Sequence, residues 1–190
     1  MIQIGTAVCI TGGVTILSHD YGWSVTKAVY GDVIGSCGKV KIGNNVYIGM
    51  HSTILPGTTI GNNVIIGANS VVKGDIPDNC VIAGVPAKVI RSIEEYHQRR
   101  KAVELSEAIE MATEYYEVYG KIPPKEVFRE HFWLFENEED NLAMEYRDVN
   151  NLVWGTGDKT HEAFKLNIPS YKGYQQFINE IFDGDNNKMR

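Results

Sequence analysis

The feature that most constrains the fold is an aliphatic residue that recurs every six positions in the first half of the chain. It runs through six consecutive units, at Ile42, Ile48, Ile54, Ile60, Ile66 and Val72. A period of six fits neither an α-helix, which repeats every ~3.6 residues, nor a plain strand, which repeats every two. A short strand followed by a tight turn forms one side of a coil, and three such units close a triangle. The repeat therefore predicts a parallel β-helix in which the aliphatic side chains point inward and stack from coil to coil.

Small and amide side chains fill the positions where the coil must turn. A glycine follows several of the repeated aliphatic residues, and Asn-Asn pairs occur at 44–45 and 62–63. Both residue types adopt a φ near or above zero at low cost, as a sharp corner requires. Residues from Ile4 to Asp20 fit the same frame as one earlier coil, whereas residues 21–33 are out of phase. We therefore predict a loop that leaves the β-helix directly after this first coil.

Composition changes near residues 86–92. Gly and Asn crowd the first 90 residues, whereas Glu, Lys, Tyr and Phe dominate the last 100. Ser92 and Glu95 form a capping box that opens a helix through Tyr119, and further helices are predicted over 124–135 and 170–182. The predicted fold is mainly β with an α extension: a β-helix domain over 1–91 and an α-helical C-terminal region over 92–190.

Charge and hydropathy limit the partners of the chain. The formal net charge is −6 and the pI is about 5.4, so there is no net basic surface for nucleic acid or an anionic membrane. The expected partners are small molecules or other proteins. The chain opens without a charged-then-apolar signal segment, and no apolar run approaches the roughly 20 residues that span a bilayer. These patterns predict no transmembrane segment and a cytoplasmic location.

The cysteines do not suggest a disulfide or metal framework. Cys9, Cys37 and Cys80 are odd in number, far apart and not arranged as CxxC. That spacing predicts neither a set of disulfides nor a zinc site. We expect all three to be small buried hydrophobic residues.

Two stretches of sequence carry a family resemblance. They read IGTAVCITGGVTILSHDYGW and, after the predicted loop, VIGSCGKVKIGNNVYIGMHSTILPGTTIGNNVIIGANSVVKGDIPDNCVIAGVPAKVIR. The motifs IGANSVV, KGDIP and AGVPAKVIR, in this order, closely resemble the hexapeptide-repeat acyltransferases in their sugar O-acetyltransferase branch. The match covers about the first 91 residues. The resemblance implies a left-handed coil, acetyl-CoA as the cosubstrate, a sugar hydroxyl as the acceptor and assembly as a homotrimer.

The resemblance also implies roles for particular residues. His19 matches the family's histidine general base, which lies in a cleft between two subunits, and an imidazole that titrates near neutrality suits the removal of a hydroxyl proton. The family's coenzyme A groove matches Gly67, Ala68, Ser70, Ala83, Gly84, Lys88 and Arg91. Main-chain groups would hold the pantetheine arm there, and the two cations would meet its phosphates. Without the resemblance, the usual interpretation of His19 is an exposed or capping histidine at a loop start. The glycine and serine are then ordinary repeat residues, and Lys88 and Arg91 solvate a helix start.

Three neighbours of His19 are candidates for binding the acceptor. Tyr21 and Trp23 lie on the predicted loop, where a flat ring can pack on a sugar face. Asp20 would contact the acceptor or orient a ring. The alternatives are burial of Trp23 against a neighbouring subunit and a turn-forming role for Asp20.

Two other functions would use the same coil. A γ-class carbonic-anhydrase-like metalloenzyme needs three histidine ligands, whereas only His19 and His51 lie in the coil region, so we expect no metal. A catalytically idle β-helix scaffold is disfavoured because His19 and the AGVPAK turn are both present. As acceptor we expect a sugar of a surface polysaccharide, capsular or lipopolysaccharide, or of its precursor. A free sugar or a xenobiotic alcohol is the alternative.

Overall fold

The computed structural model describes residues 1–136 and 157–182. The chain divides into two compact units, Met1–Gln98 and Arg99–Arg190. Every strand among the described residues lies in the first unit, and most strands are two or three residues long. They are β1 Ile2–Ile4, β2 Val8–Ile10, β3 Thr15–Ile16, β4 His19–Asp20, β5 Ser36–Cys37, β6 Val40–Ile42, β7 Val46–Ile48, β8 Thr53–Ile54, β9 Thr59–Ile60, β10 Val64–Ile66, β11 Val71–Val72, β12 Asp75–Ile76, β13 Cys80–Gly84 and β14 Ala87–Ser92.

Three parallel sheets form the faces of a β-helix. Face 1 contains β1, β6, β9 and β12, face 2 contains β2, β7, β10 and β13, and face 3 contains β3, β8 and β11. Val46 lies opposite Val64, three units of six further along the chain. β14 turns back and pairs antiparallel with β13 at the end of face 2. The predicted fold class, a parallel β-helix followed by a helical region, is confirmed.

The repeated aliphatic residues build the core of the first unit. All six of them, from Ile42 to Val72, are at most 2% exposed. Along β6 the side chains of Val40 and Ile42 are buried and that of Lys41 is exposed, as expected when alternate residues point to opposite sides of a sheet. Three fully buried hydroxyls each donate a hydrogen bond to a main-chain carbonyl: those of Ser52, Thr58 and Ser70.

The corners of the β-helix are numbered here by the faces they join. Corner 1 joins faces 1 and 2, corner 2 joins faces 2 and 3, and corner 3 joins faces 3 and 1. At corner 1, Asn45, Asn63 and Asn79 have φ values of 54°, 55° and 59°, the left-handed conformation that asparagine tolerates. Their amides form a ladder, because Asn45 Nδ2 donates to Asn63 Oδ1 at 2.9 Å and Asn63 Nδ2 donates to Asn79 Oδ1 at 2.8 Å. The asparagines predicted to turn the chain therefore also bond one coil to the next.

Residues 21–35, called the excursion below, leave the β-helix at corner 3 of the first coil. The predicted plain loop is wrong in its local structure, because the excursion contains a helix, α1 Trp23–Tyr30. Gly31 ends this helix with a φ of 87°, and its N–H donates to Lys27 O at 2.8 Å. A left-handed glycine after the last turn is a common helix ending. The predicted point of departure, just after the first coil, is confirmed.

The described part of the second unit is helical. Its elements are α2 Ile93–Tyr119, which begins in the first unit, the 3₁₀ turns Lys125–Phe128 and Phe132–Leu134, α3 Gly157–Lys165 and α4 Tyr174–Phe182. The predicted stop of α2 is confirmed, because Gly120 has a φ of 63° and its N–H donates to Tyr116 O at 2.8 Å. The core is aromatic, and these side chains are at most 3% exposed: Phe128, Phe132, Phe135, Phe164 and Phe177. None of the helices in residues 1–136 and 157–182 is long and apolar enough to cross a membrane.

Two predicted helices of this unit differ from those observed. The helix predicted over 124–135 is wrong, because two 3₁₀ turns replace it. Phe132 and Leu134 are both buried, and residues two apart lie on opposite sides of an α-helix, so burying both disfavours a continuous one. The helix predicted from residue 170 begins only at Tyr174, because Gly173 has a φ of 140°, outside the helical region.

The expectation that all three cysteines are buried is wrong for two of them. Cys80 is buried, and its burial, together with the charge of Asp78, raises the pKa of its thiol. Cys9 is exposed because it takes the outward position of β2, and Cys37 is exposed on β5, outside the three faces.

Candidate active site

His19 lies where the chain leaves the first coil. β3 ends at Ile16, and β4, which carries His19, follows it at corner 3. After the excursion the chain returns through β5, which pairs antiparallel with β4. His19 is therefore held on a strand beside the β-helix, and its side chain is exposed.

Two of the predicted acceptor-binding residues form a series of ring contacts that begins at His19. The rings of His19 and Tyr21 meet edge to face, with centroids 5.9 Å apart and planes at 76°. The ring of Trp23 lies 5.9 Å from that of Tyr21. Tyr21 is 69% exposed and Trp23 is half-buried. The three rings form a row that begins at the imidazole, and such a surface can pack against the apolar face of a pyranose.

Ser18 contacts the imidazole from the preceding position. Its Oγ lies 3.3 Å from His19 Nδ1. In the tautomer whose proton is on Nδ1, the hydroxyl accepts that proton's hydrogen bond and Nε2 keeps its lone pair. In that arrangement Nε2 is free to accept a proton from a substrate hydroxyl.

Cys37 is a neighbour of His19 that the sequence does not reveal. The two residues lie opposite each other across β4 and β5, and Gly38 N–H donates to Ser18 O at 2.9 Å on one side of the pair. This flanking hydrogen bond shows that His19 and Cys37 form a non-hydrogen-bonded antiparallel pair. In such a pair the two Cα atoms lie about 4.5 Å apart and both side chains lie on the same face of the sheet. The only signal in the sequence is the short Ser36–Cys37 segment between two glycines, which does not specify its partner strand.

Asp20 uses both of its carboxylate oxygens within the fold. Oδ1 accepts a hydrogen bond from Gly22 N–H at 2.9 Å, and Oδ2 accepts one from Ser36 Oγ at 3.2 Å. These partners lie at the two ends of the excursion. Asp20 is thus engaged with the protein itself at the position where the sequence suggested an acceptor contact.

Six of the residues matched to the coenzyme A groove lie at corner 2 or beside the turn that follows β13, whereas Arg91 lies near the other end of β14, towards corner 1. Gly67 approaches Ala83 of the next coil so closely that a Cβ on Gly67 would lie 3.0 Å from Ala83 Cβ. Across the antiparallel pair of β13 and β14, Lys88 lies opposite Ala83 and Arg91 lies opposite Val81. Lys88 is exposed and Arg91 is half-buried. Small residues and the Lys88 cation therefore share one edge of the β-helix, which suits a long anionic ligand, and Arg91 lies three residues further along β14.

Ser70 has an internal role at this edge. Its Oγ donates to Gly67 O at 2.6 Å and accepts a hydrogen bond from Gly84 N–H at 3.2 Å. The side chain is fully buried. The hydroxyl thus joins Gly67 and Gly84, two of the other predicted groove residues, and shapes the edge through them.

One chain presents the two groups of predicted residues on different edges. His19, Tyr21 and Trp23 belong to corner 3 of the first coil, whereas six of the seven groove residues belong to corner 2 and the β13–β14 turn and Arg91 lies further along β14. Within residues 1–136 and 157–182, no group of three His, Cys, Asp or Glu side chains is placed to hold a metal ion.

Comparison with known proteins matches the β-helical part of the chain. Residues 39–74 match the family described as bacterial transferase hexapeptide (six repeats). Protein CapG of Staphylococcus aureus is 52% identical over 99 residues, which are 52% of this chain and 57% of CapG. WbbJ of Escherichia coli K12, provisionally described as a lipopolysaccharide biosynthesis O-acetyl transferase, is 64% identical over 52 residues, 27% of this chain and 26% of WbbJ. The galactoside O-acetyltransferase of Escherichia coli K12 is 59% identical over 54 residues, 28% of this chain and 27% of that enzyme.

These matches are local. The chain spans between about a quarter and just over half of the length of these relatives. The matched repeat, 39–74, coincides with strands β6 to β11, the most regular part of the three faces. Over residues 39–74 the β-helix of this chain is thus similar to the hexapeptide-repeat bacterial transferases.

Proposed function

We propose that this chain transfers an acetyl group from acetyl-CoA to a hydroxyl group of a sugar. The observation that carries the proposal is the placement of His19, which stands exposed at the end of a rigid coil with Tyr21 packed edge-on against it. A fixed imidazole beside an open aromatic row suits a general base that works on a sugar hydroxyl. The likeness of the β-helix to two O-acetyltransferases supports the same reaction.

The proposed reaction is a direct transfer within a ternary complex. His19 Nε2 accepts the proton of the sugar hydroxyl while the oxygen attacks the thioester carbonyl of acetyl-CoA. The tetrahedral intermediate collapses, the C–S bond breaks, and the imidazolium returns the proton to the leaving thiolate. The products are the acetyl ester and free coenzyme A. In the tautomer that this step requires, Ser18 Oγ, 3.3 Å from Nδ1, can accept the hydrogen bond of that nitrogen.

The donor is proposed to lie along corner 2. Gly67, Ala68, Ala83 and Gly84 would line the path of a pantetheine arm with small residues, and Ser70 holds Gly67 and Gly84 in place from inside. Lys88 and Arg91, both on β14, would pair with the phosphates of coenzyme A. No metal takes part in the proposed reaction.

The proposal includes a homotrimer as the active form. Base and donor residues lie on different edges of one β-helix, so an active site that uses both needs corner 3 of one subunit beside corner 2 of another. The exposed apolar side chains of the excursion, such as Val25 at 67% and Val29 at 66%, support burial against a second copy. Trp23 and Tyr21 would then line the cleft at its acceptor end.

The acceptor is proposed to be a sugar in a surface polysaccharide or in its precursor. WbbJ, 64% identical over 52 residues, is assigned to lipopolysaccharide biosynthesis, which supports this class. The similarity to a galactoside O-acetyltransferase supports a hydroxyl of a hexose as the nucleophile. We place the reaction in the cytoplasm, where acetyl-CoA is available.

The test is a thiol-release assay with acetyl-CoA and a panel of acceptors that includes methyl β-galactoside and nucleotide-linked sugars. We expect His19→Ala to lower kcat by about 10²-fold or more, the usual contribution of a general base, with little change in coenzyme A affinity. His97→Ala, an exposed histidine on α2, is the matched control and keeps wild-type turnover. Wild-type turnover in His19→Ala, or no transfer to any acceptor, would contradict the proposal.

A further inference from the structure

The excursion is joined to the β-helix by a very short ladder. β4 and β5 pair over two residues only, and none of the α1 residues is buried in this chain. A two-stranded antiparallel ladder of this kind is marginal by itself. Core packing therefore does not hold the two ends of the excursion together, and the strand that carries His19 depends on other contacts.

The carboxylate of Asp20 connects both ends. Through Oδ1 it binds the N–H of Gly22, at the start of the excursion, and through Oδ2 it binds the hydroxyl of Ser36, 16 residues away from Asp20 in sequence. Hydrogen bonds to an ionised acceptor are the stronger kind. Because alternate side chains of a strand point to opposite sides, Asp20 faces away from the side on which His19 meets Tyr21.

We infer that Asp20 and Ser36 form a clamp that holds the backbone of β4 and so positions His19. Asp20 is then a positioning residue that does not touch the acceptor. This inference rests on the proposed function, because it takes His19 as the base. Misplacing a catalytic group by about 1 Å can lower turnover by about 10²-fold. The clamp contains none of the proposed donor residues, so donor binding is expected to stay unchanged.

The first test measures kcat and both KM values with acetyl-CoA and methyl β-galactoside. We expect Asp20→Ala to lower kcat by at least about tenfold while each KM changes by less than about twofold. Asp20→Asn should restore most of the turnover, because the amide can accept from Gly22 N–H and donate to Ser36 Oγ. Ser36→Ala should lower kcat less than Asp20→Ala, and Ser36→Thr, which keeps a hydroxyl, should restore it. Asp32→Ala, in the same excursion, is the matched control.

The second test does not depend on activity. Lys27, on α1, is the only lysine or arginine in the excursion, so tryptic cleavage after it reports on opening of this segment when variants of the same oligomeric state are compared. We expect cleavage about fivefold faster in Asp20→Ala than in the wild-type protein. Asp20→Asn and Asp32→Ala should be cleaved at rates close to that of the wild-type protein.

Three results would overturn the clamp. One is a raised acceptor KM with unchanged kcat in Asp20→Ala, which would make Asp20 an acceptor ligand. Another is an Asp20→Asn variant that is as slow as Asp20→Ala and has a shifted pH profile of kcat/KM. That result would mean that the charge of the Asp20 carboxylate, and not its hydrogen bonds, supports turnover. The third is unchanged cleavage after Lys27 in Asp20→Ala. If transfer is absent from the wild-type protein, the proposed function fails, while the cleavage rates still decide whether the clamp exists.

Discussion

The two units bury their apolar side chains in opposite ways. In the β-helix one aliphatic position recurs in every hexad and stacks on its counterpart in the next coil, as Ile42 and Ile60 do. In the helical unit the core consists of individual aromatic rings from separate segments. Phe128 packs edge-on against Phe177, with ring centroids 5.2 Å apart and planes at 85°. A repeated core distributes stability over many equivalent residues, whereas an aromatic core concentrates it in a few. Truncating a single buried side chain should therefore lower the free energy of unfolding more in the helical unit than in the β-helix.

The largest loss of stability is expected from Phe177→Ala. Phe177 is fully buried and contacts the rings of Phe128, Phe135 and Tyr171. Removing such a ring leaves a cavity with no equivalent side chain to fill it, so the free energy of unfolding should fall by about 3–5 kcal/mol. Hydrogen exchange of peptides from α4, compared between variant and parent, measures this loss.

Ile60→Ala is the matched truncation in the β-helix. Ile60 is 1% exposed and lies between Ile42 and Ile76 of the adjoining coils. The expected loss is at the lower end of about 2–5 kcal/mol, because these neighbours keep the stack continuous. Thr59→Ala, at the outward position of the same strand, is the control and should change stability by no more than about 0.5 kcal/mol. If Ile60→Ala lost more stability than Phe177→Ala, the idea that the β-helix distributes its stability over equivalent residues would be wrong.

A smaller loss is expected from changes at corner 1. Asn63→Ala removes two rungs of the amide ladder and places alanine at a φ of 55°, which together should cost about 1–3 kcal/mol. Asn63→Gly loses the same rungs but tolerates the backbone conformation. Comparing the urea unfolding midpoints of the two variants separates the cost of the left-handed backbone at alanine from the loss of the amide hydrogen bonds. Equal midpoints would show that the left-handed conformation costs nothing at this corner.

The periodic part of the fold was predictable because geometry fixes which residue each position needs. An inward position must be aliphatic and a left-handed corner favours Gly or Asn, so Ile60 and Asn63 could be placed from the sequence. The aromatic core has no such period. Phe132 and Leu134 are both buried although they lie two residues apart, and only tertiary packing specifies that.

The candidate site was predictable only in part. The motif around His19 predicted a candidate base and its ring neighbours, and Tyr21 does lie against the imidazole. The contact between Asp20 and Ser36 spans 16 residues and depends on the register of two very short strands, which no local pattern specifies. Cys37 was missed for the same reason. Its place opposite His19 arises from that register.

The smallest effect is expected at the capping box, which the sequence did predict. Glu95 Oε2 accepts hydrogen bonds from Ser92 N–H at 2.7 Å and Ser92 Oγ at 3.1 Å, and Ser92 Oγ accepts one from Glu95 N–H at 3.0 Å. The main-chain hydrogen bond from Ser92, then that of its side chain, and then the charge of Arg91 lower the pKa of Glu95.

Because the folded pKa of Glu95 lies below its unfolded value, the carboxylate stabilises the first turn of α2 above the unfolded pKa, about 4.3. This contribution is lost as the pH falls through the folded pKa. Exchange of α2 N-terminal amides, corrected for intrinsic rates, should therefore show protection that declines on acidification below about pH 4.5. Glu95→Gln keeps an acceptor without a titrating charge, so its decline should be flatter, whereas the control Glu94→Gln should follow the parent. Identical profiles for Glu95→Gln and the parent would mean that the charge of Glu95 does not stabilise this helix start, and that the neutral hydrogen bonds of Ser92 suffice.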